Sequence, residues 1–256
     1  MKKKHLLIAL FALMSGSALA QEWVYDVRNH PEGYFLRSDQ VASSVTLLPP
    51  PPQPGSAQFQ YDEAQYTWGK MQRITPRGRM AFEDAKLGGD GLSKTFSEAF
   101  GITISKEETP EIYTLIQRMG GDSGDLATRE AKNHYMRMRP FLLFGEQSLT
   151  PDDEKGLAQN GSYPSGHTAN GWATALVLAE INPDRQDEIL RRGYEHGQSR
   201  VICGVHYQSD VDAGRVVASA VVARLHADKD FMTQLEKAKK EFARLQKAGK
   251  VKKHGE

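Results

Sequence analysis

Residues 199–225 read SRVICGVHYQSDVDAGRVVASAVVARL, and they carry both the architecture and the chemistry of this chain. From Val211 onward the stretch is apolar or small on nearly every side, which predicts a central buried helix; a half-buried strand would alternate instead. Ahead of it stand Arg200, His206 and Asp210. A spacing of four puts the last two on one face if the segment is helical. A carboxylate that accepts the Nδ1 proton fixes the imidazole tautomer. It leaves Nε2 with its lone pair and stabilises positive charge once that pair is used. A His and an Asp four apart can equally be a surface pair or a satisfied buried histidine, so this stretch alone leaves function open.

The neighbouring segments extend the helical pattern. Upstream, residues 184–196 read as a helix closed by Gly197, and downstream Phe231, Leu235, Ala238, Phe242 and Leu245 make an amphipathic final helix. Residues 161–167, GSYPSGH, precede a small-residue helix over 168–181 that stops at Asn182-Pro183. Ser165 is placed to cap that helix, Gly166 lets a ligand approach the backbone, and the first-turn N–H groups form an anion site with His167 at its mouth.

Residues 126–138 read as another helix. On it Lys132 and Arg139 are seven apart, two turns on one side and about 10 Å along the axis, and Pro140 forces a stop. The two cations can converge on one anion. Basic residues near a helix C-terminus are also favoured by the macrodipole and left in solvent, and Arg137 is read that way.

Earlier still, Tyr61, Ala64, Trp68, Met71 and Ile74 keep helical spacing, residues 77–87 form a helix closed by Gly88-Gly89, and residues 92–100 a short one ended by Gly101. Thr109 is an N-cap with Pro110 at the first helical position, followed by Ile112, Leu115, Ile116 and Met119 on one face before Gly120. No alternating strand pattern or hairpin signal interrupts this, so the fold class is all-α.

The chain divides into four parts. Residues 1–20 have a Lys2-Lys3-Lys4 head, a nine-residue apolar run and Ala18-Leu19-Ala20, the form of a cleaved signal peptide that directs the protein to the periplasm. Residues 21–60 form an extended arm with a proline run at Pro49–Pro52 and Pro54, read as a spacer packed on the surface. Residues 61–246 are the helical domain, and residues 247–256 a basic, frayed tail.

Removing the leader takes three of 33 Lys and Arg and none of 32 Asp and Glu, leaving thirty against thirty-two. That balance argues against a nucleic-acid partner. No later run of eighteen residues is continuously apolar, so no membrane span is expected. The sole cysteine, Cys203, excludes an intramolecular disulfide.

Together the three clusters supply Lys132, Arg139 and Arg200 as cations, a helix N-terminus, two histidines and a carboxylate. This is an inventory for phosphoryl transfer without a metal. The segments Lys132 to Pro140 (K, six residues, RP), Pro164 to His167 (PSGH) and Ser199 to Asp210 (SR, five residues, H, three residues, D) resemble the signature of the type 2 phosphatidic acid phosphatase superfamily, without gap or substitution. With the leader and neighbouring text such as Gly161-Ser162-Tyr163, the chain most resembles the class A bacterial non-specific acid phosphatases, from about residue 48 to 245.

The resemblance implies a helical domain of the kind shared with vanadium haloperoxidases. It implies His206 as nucleophile, Asp210 as its orienting carboxylate, and His167 as acid and then base. Lys132, Arg139, Ser165, Gly166 and Arg200 would bind phosphate. It further implies small phosphate monoesters as substrates, no cofactor or catalytic metal, and a homo-oligomer by family analogy. The competing readings are an apyrase-like nucleoside tri- or diphosphate hydrolase, a vanadate-dependent haloperoxidase and a non-catalytic phosphate-binding protein. The last needs the cations but not His167, His206 and Asp210.

Overall fold

The architecture follows from one helix that can be approached from every side. A computed structural model describes residues 33–252 and residue 255. The signal-peptide reading of residues 1–20 lies outside the described residues. Among those described, the secondary structure is helical and no strand is present.

The long helices are α1 (Ala57–Gln72), α2 (Pro76–Asp84), α3 (Gly91–Phe100), α4 (Pro110–Gly121), α5 (Ala127–Tyr135), α6 (Gly166–Ile181), α7 (Gln186–Cys203), α8 (Gln208–Leu225) and α9 (Lys229–Lys247). A π-helical turn over Asp122–Leu126 joins α4 to α5. No described helix is long and apolar enough to cross a membrane.

The central helix is α6, not α8. Small residues run along it, and Ala169, Ala173, Ala175, Val177 and Leu178 are all buried. It packs chiefly against α7 and α8. The α8 helix presents Asp212, Val216 and Ser219 to solvent and buries Val211, Val217, Val221 and Leu225 on its other side. Around this centre the core gathers Phe96, Phe100, Ile112, Leu115, Ile116, Met119, Phe231 and Leu235.

Gly101 ends its helix as expected, with φ of 89°, but other glycines predicted as stops lie inside helices. Gly197 lies inside α7, where a Cβ would come within 2.8 Å of Thr168 Cγ2. The helix runs on to Gly204, whose φ of 78° supplies the left-handed stop. Likewise α4 continues through Gly120 and Gly121, and a Cβ at Gly121 would meet the ring of Tyr34.

The buried stripe of α1 is Phe59, Asp62, Tyr66 and Gly69. The face expected from Tyr61, Met71 and Ile74 is exposed instead, with Ile74 at 94%. A charged residue and a glycine disguise the true stripe: Asp62 is ion-paired inside, and Gly69 sits where a Cβ would be 2.8 Å from the Val201 carbonyl.

The segment before α1 is fastened to the helices. The Phe35 and Leu36 N–H groups donate to Asp122 at 3.1 and 2.9 Å, and Phe35 packs edge-on against Phe231. Tyr163 Oη donates to the Pro49 carbonyl at 2.8 Å, so the proline run lies on the loop that leads into α6. At the other end the Lys252 N–H donates to the Gly101 carbonyl at 2.9 Å.

Candidate active site

The loop before α6, the end of α7 and the start of α8 meet at one point. The Ser165 N–H donates to the Asp210 carbonyl at 2.9 Å, which ties the first of these to the last. Ser165 caps α6 as its sequence position suggests, accepting from the Thr168 N–H at 3.3 Å and from Thr168 Oγ1 at 2.9 Å. Its own hydroxyl proton is left to donate elsewhere. Gly166 is packed so closely that a Cβ would stand 2.7 Å from the Gly124 carbonyl oxygen of the π turn.

His206 and Asp210 meet although they do not share a helix. Tyr207 is the N-cap of α8, and His206 precedes it. The turn still brings His206 Nδ1 to 3.2 Å from Asp210 Oδ2, which also accepts from the Tyr207 N–H at 2.9 Å. Across the ring, Nε2 stands 3.1 Å from Arg139 Nη1. A guanidinium can only donate, so Nε2 accepts there and the proton resides on Nδ1 toward Asp210. Burial first, then Arg139, Lys132 and Arg200, hold the His206 imidazole well below its ordinary pKa.

The helix expected to carry both Lys132 and Arg139 ends sooner. α5 stops at Tyr135, and Met136 turns the chain with φ of 40°. Arg139 is instead the N-cap of a short helical turn, Pro140–Leu143, so Pro140 opens a helix where it was expected to close one. The two cations converge all the same: Lys132 Nζ donates to the Gly161 carbonyl at 2.9 Å, and Arg139 Nη2 reaches the same oxygen at 3.5 Å. Arg139 Nε is held by the Leu157 carbonyl at 2.7 Å and Nη1 by the Val205 carbonyl at 3.0 Å. Burial lowers Arg139 to about 9, with Asp210 opposing and Arg200 assisting; burial, then Arg139, holds Lys132 well below its ordinary value.

Arg200 is 1% exposed, and its Nε and Nη1 find no hydrogen-bond partner in the protein. A buried, unpaired guanidinium is costly, which makes this a position for an anion. Its charge acts on Lys132, Arg139, His167 and His206 together. A cleft opens over the cluster, lined by Lys132, Arg139, Gly166, His167 and His206; Arg200 and Ser165 do not form its wall. His167 Nε2 lies 3.0 Å from the Ala85 carbonyl and donates to it, leaving Nδ1 for proton exchange. Burial, then Arg200, lowers its pKa well below the ordinary value.

Several residues at the site went unread in the sequence. Asp125 and Arg129 on the cleft rim form a bidentate pair, respectively two turns and one turn before Lys132 on the same helical face. That spacing was the available signal. Arg137, expected in solvent, is buried: Nη1 donates to Asp210 Oδ1 at 2.6 Å and Nη2 to Asp62 Oδ2 at 2.8 Å. Nothing local in the sequence marks either partner. His196 is fully buried with neither ring nitrogen bonded, its ring 6.5 Å from that of His167 and inclined by 17°.

Burial lowers His196 from 6.5 to about 4. Its pKa is depressed in the folded state, as are those of His167 and His206. The unfolded chain therefore binds more protons than the native one between the two pKa values, and stability rises with pH there. The contribution is complete above about 6.5 and is lost as pH falls toward 4, about 3 kcal/mol from His196 alone. Urea unfolding at pH 7 and pH 4.5 should show the loss. His196→Leu should reduce the slope, and inorganic phosphate should offset part of it by binding the native state. Asp122, which burial raises to about 6, acts in the opposite sense over the same range, so the comparison with His196→Leu decides, and an unchanged slope contradicts the assignment.

Comparison with known proteins gives the family of the chain. Residues 123–231 match the PAP2 superfamily. The chain is 55% identical over 222 residues to the non-specific acid phosphatase of Providencia stuartii, covering 87% of this chain and 90% of the relative. It is 43% identical over 208 residues to the non-specific acid phosphatase of Salmonella typhimurium, covering 81% and 83%. It is also 37% identical over 240 residues to an acid phosphatase of Zymomonas mobilis, covering 92% and 89%. The three clusters that meet around His206 are thus set in a chain that belongs to the class A bacterial non-specific acid phosphatases of the PAP2 superfamily.

Proposed function

We propose that this acid phosphatase acts in the periplasm on small phosphate monoesters, through a phosphohistidine on His206 and without a catalytic metal. The observation that carries the reading is the line from Arg139 through His206 to Asp210, which points an unprotonated Nε2 at the cationic end of the site. With the phosphoryl group held by Lys132, Arg139, Arg200, the Ser165 hydroxyl and the Gly166 N–H, Nε2 attacks phosphorus. The N–P bond forms as the P–O bond breaks, and His167 gives a proton to the departing oxygen. Water then attacks phosphorus and loses its proton to His167. The N–P bond breaks and its electron pair returns to Nε2.

Charge supports each step. Asp210 stabilises the imidazolium that forms when Nε2 is used. Burial and then the cations around it, which lower the pKa of His206, keep it unprotonated, and so nucleophilic, in acid. A bound phosphoryl group brings negative charge beside His167, which favours its protonated form and offsets Arg200. The rim favours monoesters over the apyrase-like reading. Arg129 is spent on Asp125, so the cleft mouth offers a second phosphate a neutral pair rather than a bare cation.

Export rests on the charged head, apolar run and small-residue site of residues 1–20. A homo-oligomer remains part of the proposal by analogy.

Phosphate release from a panel of monoesters, nucleotides and pyrophosphate, measured across pH, tests this function. Activity should survive EDTA, because three clustered cations oppose a divalent ion at the site. Vanadate should inhibit competitively as a mimic of the five-coordinate transition state. Loss of activity on chelation, restored by one metal, would overturn the metal-free reading. Preference for di- or triphosphates over every monoester would overturn the substrate class.

A further inference from the structure

We infer that Arg137, clamped by Asp62, is a positioning residue for the nucleophile: its guanidinium fixes the plane of Asp210 and, through it, the ring of His206. The inference rests on the reading above in taking His206 as the attacking group.

The terminal torsion of an aspartate is soft, so bonds to one oxygen leave the other free to swing. Asp210 Oδ2 receives both the Tyr207 N–H and His206 Nδ1. Oδ1 receives Arg137 Nη1 at 2.6 Å, and this second anchor sets the carboxylate plane.

Arg137 is itself fixed on every side. Nη2 donates to Asp62 Oδ2 at 2.8 Å, and the guanidinium lies over the Tyr207 ring, 4.0 Å from its centroid. Its carbonyl accepts from the Ser162 N–H at 2.9 Å. Asp62 is held in turn by the Ser209 N–H at 2.8 Å and the Ser209 hydroxyl at 2.6 Å. Three distant parts of the chain thereby converge behind His206.

Neither Arg137 nor Asp62 lines the catalytic cleft, so their influence passes through the residues they hold, Asp210 first among them. Buried ion arrays add little net stability compared with apolar packing, and their use here is orientation. Asp62 and Ser209 line a different cleft with Pro52, Ala57, Gln58, Tyr61 and Asp212.

The test uses the whole enzyme with 4-nitrophenyl phosphate in rapid-quench experiments. Arg137→Ala should slow phosphorylation of His206 by about 10²-fold, the cost of a small misplacement of reacting groups. The inhibition constant of inorganic phosphate should change by less than about threefold, since Lys132, Arg139 and Arg200 are untouched. Added guanidinium should recover about tenfold of the rate by refilling the fork between the two carboxylates. Asp62→Asn should give a smaller loss of the same kind.

A folded Arg137→Ala enzyme with the wild-type rate overturns the inference. So does one that loses phosphate binding as much as rate and ignores guanidinium. If Arg137→Ala does not fold, Asp62→Asn decides: an unchanged phosphorylation rate overturns it. Failure to trap phosphoryl on His206 in the wild type would instead strike the functional reading beneath it.

Discussion

Replacing His206 with alanine should abolish turnover of every substrate, by about 10⁴- to 10⁶-fold, because the proposed attack on phosphorus is made by its Nε2. The expectation is specific to this position. Nε2 accepts from Arg139 while Nδ1 faces Asp210, so both lone-pair direction and charge compensation are built around one ring. The phosphate pocket should persist. Lys132, Arg139 and Arg200 are held by backbone carbonyls or by burial, not by His206 alone, so the His206→Ala protein should still bind inorganic phosphate. Loss of binding together with turnover would show that His206 builds the anion site instead of attacking from it.

His167→Ala should behave differently, because its cost depends on what leaves. A phenolate such as 4-nitrophenolate departs with little help, whereas an alkoxide from a sugar or glycerol needs a proton in the transition state. General acid assistance is worth about 10² to 10⁴ in rate, and that factor should appear for alkyl esters and nearly vanish for aryl ones when enzyme phosphorylation is followed by rapid quench. With aryl substrates the variant should accumulate phosphoenzyme, since hydrolysis of the intermediate has also lost its base. Equal losses on both substrate classes would remove His167 from the proton-transfer role.

Ser165 was legible in the sequence because capping is local. The residues that decide it, Pro164 to Thr168, are adjacent, and the structure closes the expected bond. The convergence of Lys132 and Arg139 was legible in outcome but not in route. A left-handed Met136 is a conformation that a bulky side chain rarely adopts, so nothing announced that the chain would turn before Arg139.

Glycine was ambiguous for a physical reason. The same missing Cβ permits a left-handed stop at Gly204 and a tight crossing at Gly197, and only the neighbouring helix distinguishes them. Arg137 was misplaced and Asp62 went unread because each alone resembles a solvated charge. Their burial depends on a partner 75 residues away, and on Asp210 beyond it. The all-α class survived these errors because helical periodicity recurs in every long segment.

The central claim, that phosphate passes through His206, is open to one direct measurement. The wild-type enzyme is mixed with a labelled aryl monoester, quenched within milliseconds into base, digested, and the phosphopeptide mapped. The predicted result is an acid-labile, base-stable phosphoryl group on the peptide containing His206. A phosphoryl group on Ser165 or His167, or none on an enzyme turning over at full rate, would contradict it.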